Sequence, residues 1–448
     1  MSVDREGLIA VFHAAVAECD PARRIEEGLR DEQVAPLLEG RRRFGVAVGK
    51  AALAMARGAG PVERGIVIVP ARRELVRSDV RSDVRSDGHL DAGFDGRSDV
   101  VLAGWRVIES AHPFVDERSV QAAREARAVV EAAGEGDVVL ALISGGASAL
   151  LEEPIEGLSI EKLGAATRAA MESGVSIAEL NDLRSTLSRV KRGGLVTACK
   201  APVVTLAVSD VIGDGLAIIG SGPTIGSWFV DDEDVRRERA RRIVEKIAPI
   251  AGGLELPRLT EGSSRDRPLR DLDQAILVAP MGAFGEAAVR ALGHQMWLEH
   301  VRAPLVGDVA ECATQIVERI GVSDAEVHGT YVWWGEPTLR VPADHGEGGR
   351  AQQLALLLAK ALRGTKLVAM AIGSDGIDGP PPAKRPAPAG AIVDGTTWDA
   401  IIAAGHDPER AIAQCDAGTV LDAVGALVVT GPTGINHGDL VVVGDMRA

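Results

Sequence analysis

Val138-Val139-Leu140-Ala141-Leu142-Ile143-Ser144-Gly145-Gly146-Ala147-Ser148 decides the fold class. Six consecutive apolar residues make a buried strand, far short of the roughly 20 that a membrane helix needs. They run into a turn of small residues and then into a helix. Working outward, the runs 44–48, 65–69 and 203–208 have the same character, and each ends at a turn or a glycine cluster. Residues 121–133 alternate with them as an amphipathic helix, Ala and Val on one side and Arg and Glu on the other. Strands separated by helical stretches predict parallel pairing through crossovers, so the class is α/β with a Rossmann-like, parallel-sheet N-terminal domain.

A chain of 448 residues exceeds one compact core, and a second set of strands is expected at 275–279, 330–334, 367–372 and 440–443. Residues 231–245 read as a charged surface helix and 262–270 as a polar loop, which puts the boundary between 240 and 275. The expected division is 1–250 and 251–448, the second a smaller α/β domain, with the active site in the cleft between the two. Residues 380–388 are rich in proline and read as a loop. The repeats between Arg77 and Asp99 are low-complexity and mixed in charge, read as a solvated insertion or a docking segment.

The net charge of -15 offers no basic field to a nucleic-acid backbone. The start Met1-Ser2-Val3-Asp4-Arg5-Glu6 lacks a signal-peptide pattern, and the four cysteines form no C-x-x-C pair. A soluble cytoplasmic protein that meets small molecules, with no nucleic-acid or membrane partner, is therefore expected. Its oligomeric state stays open, a homo-oligomer included.

Several segments carry chemistry. Ser144, Gly145, Gly146, Ala147 and Ser148 place unshielded amides at a helix start, a setting for an anion or simply a tight turn without a ligand. Lys50 follows the strand 44–48 at the C-terminal sheet edge, where open α/β folds bind ligands. Asp210 and Asp214 end another strand and suit Mg²⁺, a hydroxyl proton, or the capping of turns. Arg350 opens an apolar helix behind two glycines, placed to grip a phosphate or carboxylate. Asp375 and Asp378 share a flexible turn after a buried strand, a catalytic or metal-proximal loop. His112 precedes Pro113 and reads equally as a base, a substrate contact or a structural histidine.

In order, Val48-Gly49-Lys50-Ala51, His112-Pro113 with Asp116-Glu117, the Ser144 loop, Asn181 and Arg184 ahead of Leu187-Ser188-Arg189-Val190-Lys191, Ser209-Asp210-Val211 with Asp214, Ser221-Gly222-Pro223-Thr224, Gly349-Arg350, Asp375-Gly376 with Asp378-Gly379, and Gly431-Pro432-Thr433-Gly434 resemble the glycerate 2-kinase family, the class with a C-terminal MOFRL domain. The resemblance spans most of the chain. It implies phosphorylation of D-glycerate at its 2-hydroxyl with ATP and Mg²⁺, giving 2-phosphoglycerate and ADP. It places the family's essential lysine on Lys50 and its essential arginine on Arg350. Asn181, Arg184, Lys191 and Ser221 follow as substrate or accessory positions, beside His112, Asp375 and Asp378, with Asp210 and Asp214 as the metal pair. Ala147 and Gln353 stand where the family usually shows glycine and glutamate. Phosphoryl transfer needs positioning and charge neutralisation, and cations, acids and backbone donors are all present. Two rivals are a hydroxypyruvate reductase-like oxidoreductase, whose G-x-G-x-x-G fingerprint is missing, and a non-catalytic nucleotide- or metabolite-binding relative.

Overall fold

The computed structural model describes residues 3–71, 102–175, 177–225, 233–247, 272–293, 297–321, 329–380, 382 and 386–445. The Arg77 to Asp99 repeats, the 262–270 segment and part of the proline-rich patch lie outside them. The chain divides into two compact units, Pro21–Ala279 and Met1–Asp20 with Pro280–Ala448. This division falls at other places than the expected 250/251, and the contacts of each unit say why.

In Pro21–Ala279 the strands are β1 (Arg43–Val48), β2 (Arg64–Pro70), β3 (Trp105–Ser110), β4 (Val138–Ile143), β5 (Val203–Val208) and β6 (Gln274–Ala279). They lie in the order β3-β2-β1-β4-β5-β6, all parallel. This is the doubly wound arrangement whose strand order reverses between β1 and β4. Along β4, Val139, Ala141 and Ile143 face a core shared with Ala122, Ala126 and Val130 of the helix Glu117–Glu131. Val138, Leu140 and Leu142 face a second core with Ala52, Met55 and Ala56 of the helix Ala52–Ala59. Both faces are covered, which is why β4 carries no polar residue at alternate positions. Full burial of Leu140 and Leu142 stabilises by about 2 kcal/mol each. The run 275–279, expected in the second half, is the outer strand of this sheet, paired in parallel with β5. The strand β3 escaped the sequence reading because Arg106 and Glu109 interrupt its apolar pattern, as an edge strand allows.

In the other unit, β7 (Leu298–His300), β8 (Thr330–Gly335), β9 (Leu367–Gly373), β10 (Gly390–Asp394), β11 (Leu427–Val428) and β12 (Asp439–Asp445) form a sheet of order β11-β10-β9-β12-β8-β7. It is antiparallel except for the β7–β8 pair. The helix Arg350–Ala361 covers one face through Leu354, Ala355 and Leu358. The helices Arg5–Glu18 and Ala283–Leu292 cover the other, where Phe12 and Phe284 meet edge to face at 5.8 Å. Arg290 also pairs with Glu18. The first helix therefore belongs with the residues after 279. Among the described residues no helix is long and apolar enough to cross a membrane.

Candidate active site

The register of the β1–β4 pair sets Val48 opposite Ile143, so both strands end level at the point where the sheet order reverses. Two turns leave side by side there. Ser144 N–H donates to the Val48 carbonyl at 3.0 Å, and Lys50 N–H donates to the Gly145 carbonyl at 2.8 Å. The Ser144 hydroxyl accepts from Ala51 N–H at 3.2 Å. A Cβ at residue 49 would stand 2.1 Å from Ser144 Oγ, and φ there is +126°, so only glycine permits this approach. The Lys50 side chain is exposed and enters no ion pair among the described residues.

The helix after the turn is short, Ala147–Leu150, and the Ala147 amide already donates to the Ser144 carbonyl. The Gly145 and Gly146 amides have no protein acceptor among the described residues. Three side chains converge on them. The Asp210 carboxylate lies 1.9 Å from where a Cβ of residue 145 would be, and His112 Nε2 and Lys50 Cγ lie 3.1 and 3.5 Å from where one at residue 146 would be. Lys50, His112 and Asp210, distant in sequence, thus surround one dipeptide. Asp214 sits in the following turn with φ of +53°. Among the described residues no group of three or more His, Cys, Asp or Glu forms a metal cage.

A cavity of about 320 Å³ opens beside this turn. His112 to Val115, Gly146, Ser148, Glu152 and Arg184 contribute to its walls, with Leu163, Gly164 and Arg168 of the helix Ile160–Glu172 opposite. Ser221 is placed behind the turn, its hydroxyl 2.7 Å from that of Ser148. Lys191 is enclosed: its side chain is 1% exposed, and its ammonium lies 3.2 Å from Glu152 Oε2 and donates to the Ser148 carbonyl at 2.7 Å. Burial pulls the Lys191 pKa down, and Glu152 works against that pull. Burial also lowers that of Arg184, again opposed by Glu152. Asn181 shares the Arg184 helix but does not line the cavity. Sequence reasoning passed over Glu152, in the loop after the short helix, and Arg168, on the helix Ile160–Glu172, because neither charge gives a local sign of which distant residues pack against it.

In the other unit Arg350 occupies the first turn of its helix. Its Nε and Nη2 donate to Asp439 at 2.8 and 3.1 Å, a bidentate pair, and Nη1 donates to Glu336 at 3.0 Å. These partners raise the guanidinium pKa against the opposing effect of burial. Burial pushes the Asp439 carboxyl up to about 7, against the pull of Arg350 and with the help of Asp378 and Glu336. The pair geometry fixes Arg350 as charged. Asp378 is buried and caps this helix: Oδ1 accepts from Ala351 N–H at 3.0 Å, and Oδ2 accepts from Gln352 N–H at 2.8 Å and from its Nε2 at 3.0 Å. Asp375 is exposed, and its Oδ1 accepts from Ile377 N–H in its own turn.

Comparison with known proteins adds to this geometry. A domain of unknown function, DUF4147, matches residues 7–250, and the MOFRL family matches residues 329–439. A glycerate 2-kinase from Pyrococcus horikoshii is 34% identical over 75% of this chain and 77% of its own. A putative hydroxypyruvate reductase from Agrobacterium vitis is 33% identical over 75% of this chain and 86% of its own. The crystal structure of a glycerate kinase from Thermotoga maritima superposes with a TM-score of 0.79 over 98% of both chains, at 29% identity.

Proposed function

Since the chain belongs to the glycerate 2-kinase family, we propose that it transfers the γ-phosphoryl of ATP to the 2-hydroxyl of D-glycerate, releasing 2-phosphoglycerate and ADP. The observation that carries this reading is the meeting of Lys50, His112, Asp210 and the Gly145 and Gly146 amides, which have no protein acceptor among the described residues, at the switch point of a doubly wound sheet. Phosphoryl transfer spreads negative charge over the equatorial oxygens, and fixed donors with a mobile cation offset that charge without reorganising. In this role the amides and Lys50 hold phosphate oxygens. The cavity beside them gives an acceptor a dry place next to the phosphate.

Mg²⁺ fits this donor set in one respect: the ion commonly takes one or two protein carboxylates and fills its remaining positions with phosphate oxygens and water. Asp210, lying over Gly145, is the residue that would hold it, with Asp214 as the neighbouring acid. When bound, the ion supplies charge neutralisation at the phosphates. Arg350 enters as the second cation on the family resemblance. The Arg350–Asp439–Glu336 geometry gives it a fixed direction.

The reductase name of the Agrobacterium relative finds little support here, since the turn after β1 carries Gly49 alone in place of the three glycines that a dinucleotide needs. The test measures ADP release with D-glycerate and, in parallel, NAD(P)H oxidation with hydroxypyruvate. Glycerate-dependent ADP release with a 2-phosphate product by phosphorus NMR is the expected result. Coenzyme oxidation without ADP release would replace the kinase reading.

A further inference from the structure

Glu152 is 2% exposed and lines the cavity, yet its two oxygens fare differently. Oε2 is taken by the Lys191 ammonium at 3.2 Å, whereas Oε1 is buried with no hydrogen-bond partner among the described residues. An orphaned carboxylate oxygen in a dry wall is costly unless a ligand completes it. Arg184 lines the same cavity and is coupled electrostatically to Glu152, but enters no ion pair among the described residues. One carboxylate against two cations leaves this wall with a positive excess, which favours an anion. A ligand that satisfies both features carries a carboxylate at one end and a hydroxyl at the other.

We propose that this cavity is the acceptor pocket and that it reads a small polyhydroxy acid at both ends: Arg184 takes the carboxylate, and Glu152 Oε1 accepts a hydrogen bond from the hydroxyl that is not phosphorylated. The assignment rests on the kinase reading for the identity of the acid. Glu152 suits a bystander hydroxyl because the contact with Lys191 offsets its charge and holds the carboxylate in place. The transferred hydroxyl is left to the Gly146 side of the cavity, where His112 and the Lys50 stem lie. Glu152 is thus a specificity residue.

The experiment compares D-glycerate with D-lactate, which keeps the 2-hydroxyl and lacks the 3-hydroxyl. The native protein should prefer glycerate by about 10²-fold or more in kcat/KM, because lactate leaves Oε1 unpaired. Glu152→Leu combined with Lys191→Met removes both charges of the buried pair, a change that cores commonly tolerate. It should bring the preference to within about threefold of unity. A second variant guards against failure to fold. A Cβ at residue 164 meets only Arg168 and Val115, each at 3.7 Å, so Gly164→Leu enters the cavity without a backbone clash. It should raise the glycerate KM by about tenfold or more. Calorimetric binding of D-glycerate separates the two readings. Glycerate turnover with a preference unmoved in the folded double variant keeps the kinase and overturns the pocket. Glycerate binding that Gly164→Leu abolishes, in a protein without turnover, supports the pocket and sinks the kinase; absence of glycerate binding to the native protein overturns the pocket.

Discussion

Lys50 and Arg350 each follow a glycine and stand at the start of a helix, yet the protein surrounds them in opposite ways. Gly49 lets the Ser144 turn close in from the side, and the Lys50 ammonium is left exposed without an ion pair among the described residues. Gly349 lets the Asp378 carboxylate within 2.3 Å of where a Cβ would be, and Arg350 itself is tied to Asp439 and Glu336. The difference separates two ways of presenting positive charge. A free lysine follows its phosphate through several positions at an entropic cost, while a tethered arginine is held in one position and shares its charge with counter-ions.

If that contrast is right, Lys50→Ala should affect turnover and nothing else. Loss of a cation from the transition state commonly removes several kcal/mol of stabilisation, so kcat should fall about 10²-fold or more. The urea midpoint should be unchanged, since no buried partner is orphaned. Near-native turnover in a folded variant would remove Lys50 from the mechanism.

Arg350→Ala should act on both properties. It leaves Asp439, whose side chain is 5% exposed and whose carboxyl burial already raises to about 7, to hold its charge without the cation or to take up a proton. Breaking such pairs costs about 3–5 kcal/mol, and the lower end applies because the Arg350 side chain is 31% exposed. A native urea midpoint would mean that the contact with Asp439 adds no stability.

The pH dependence sharpens the same comparison. An ordinary aspartate titrates near 3.9, whereas burial raises Asp439 to about 7 in the folded protein. The folded state therefore binds more protons between these values, and the Asp439 contribution to stability is fully present below about pH 4 and lost as pH rises towards 7. Native protein and Asp439→Asn, melted in parallel from pH 4.5 to 7.5, should diverge in this sense, the native curve falling more steeply with rising pH. Parallel curves would show that Asp439 titrates as an ordinary acid.

How much of this was legible depended on how local the signal was. The strands β1, β2, β4 and β5 were, because a strand covered on both faces needs an unbroken apolar run. The Ser144 turn and Lys50 followed, since a strand's end fixes where the next residues lie. Glu152 gave no sign, because its role arises from Lys191, 39 residues away, and from a helix packed opposite. The helix Arg5–Glu18 was unassigned because its apolar face is matched by Phe284, Ala287 and Ala288, far along the chain. Asp378 was legible as an acid on a turn, but its target, a helix start 27 residues earlier, was not.

That cap gives the smallest expected effect and the finest cut between the two cations. Asp378→Asn keeps the shape of the side chain and one carbonyl acceptor, but its amide nitrogen cannot accept from both backbone donors that the carboxylate now satisfies. Loss of one capping bond costs about 1 kcal/mol, read as a lower urea midpoint. The substitution also removes a negative neighbour that helps to raise the Asp439 carboxyl, so that group should titrate lower and the stability loss with rising pH, which still begins at about pH 4, should be smaller and end earlier. Turnover should fall only modestly, because Arg350 keeps both carboxylates and the Lys50 turn is untouched. A loss of activity as deep as that of Lys50→Ala, at an unchanged midpoint, would overturn the capping role and make Asp378 a participant in the chemistry.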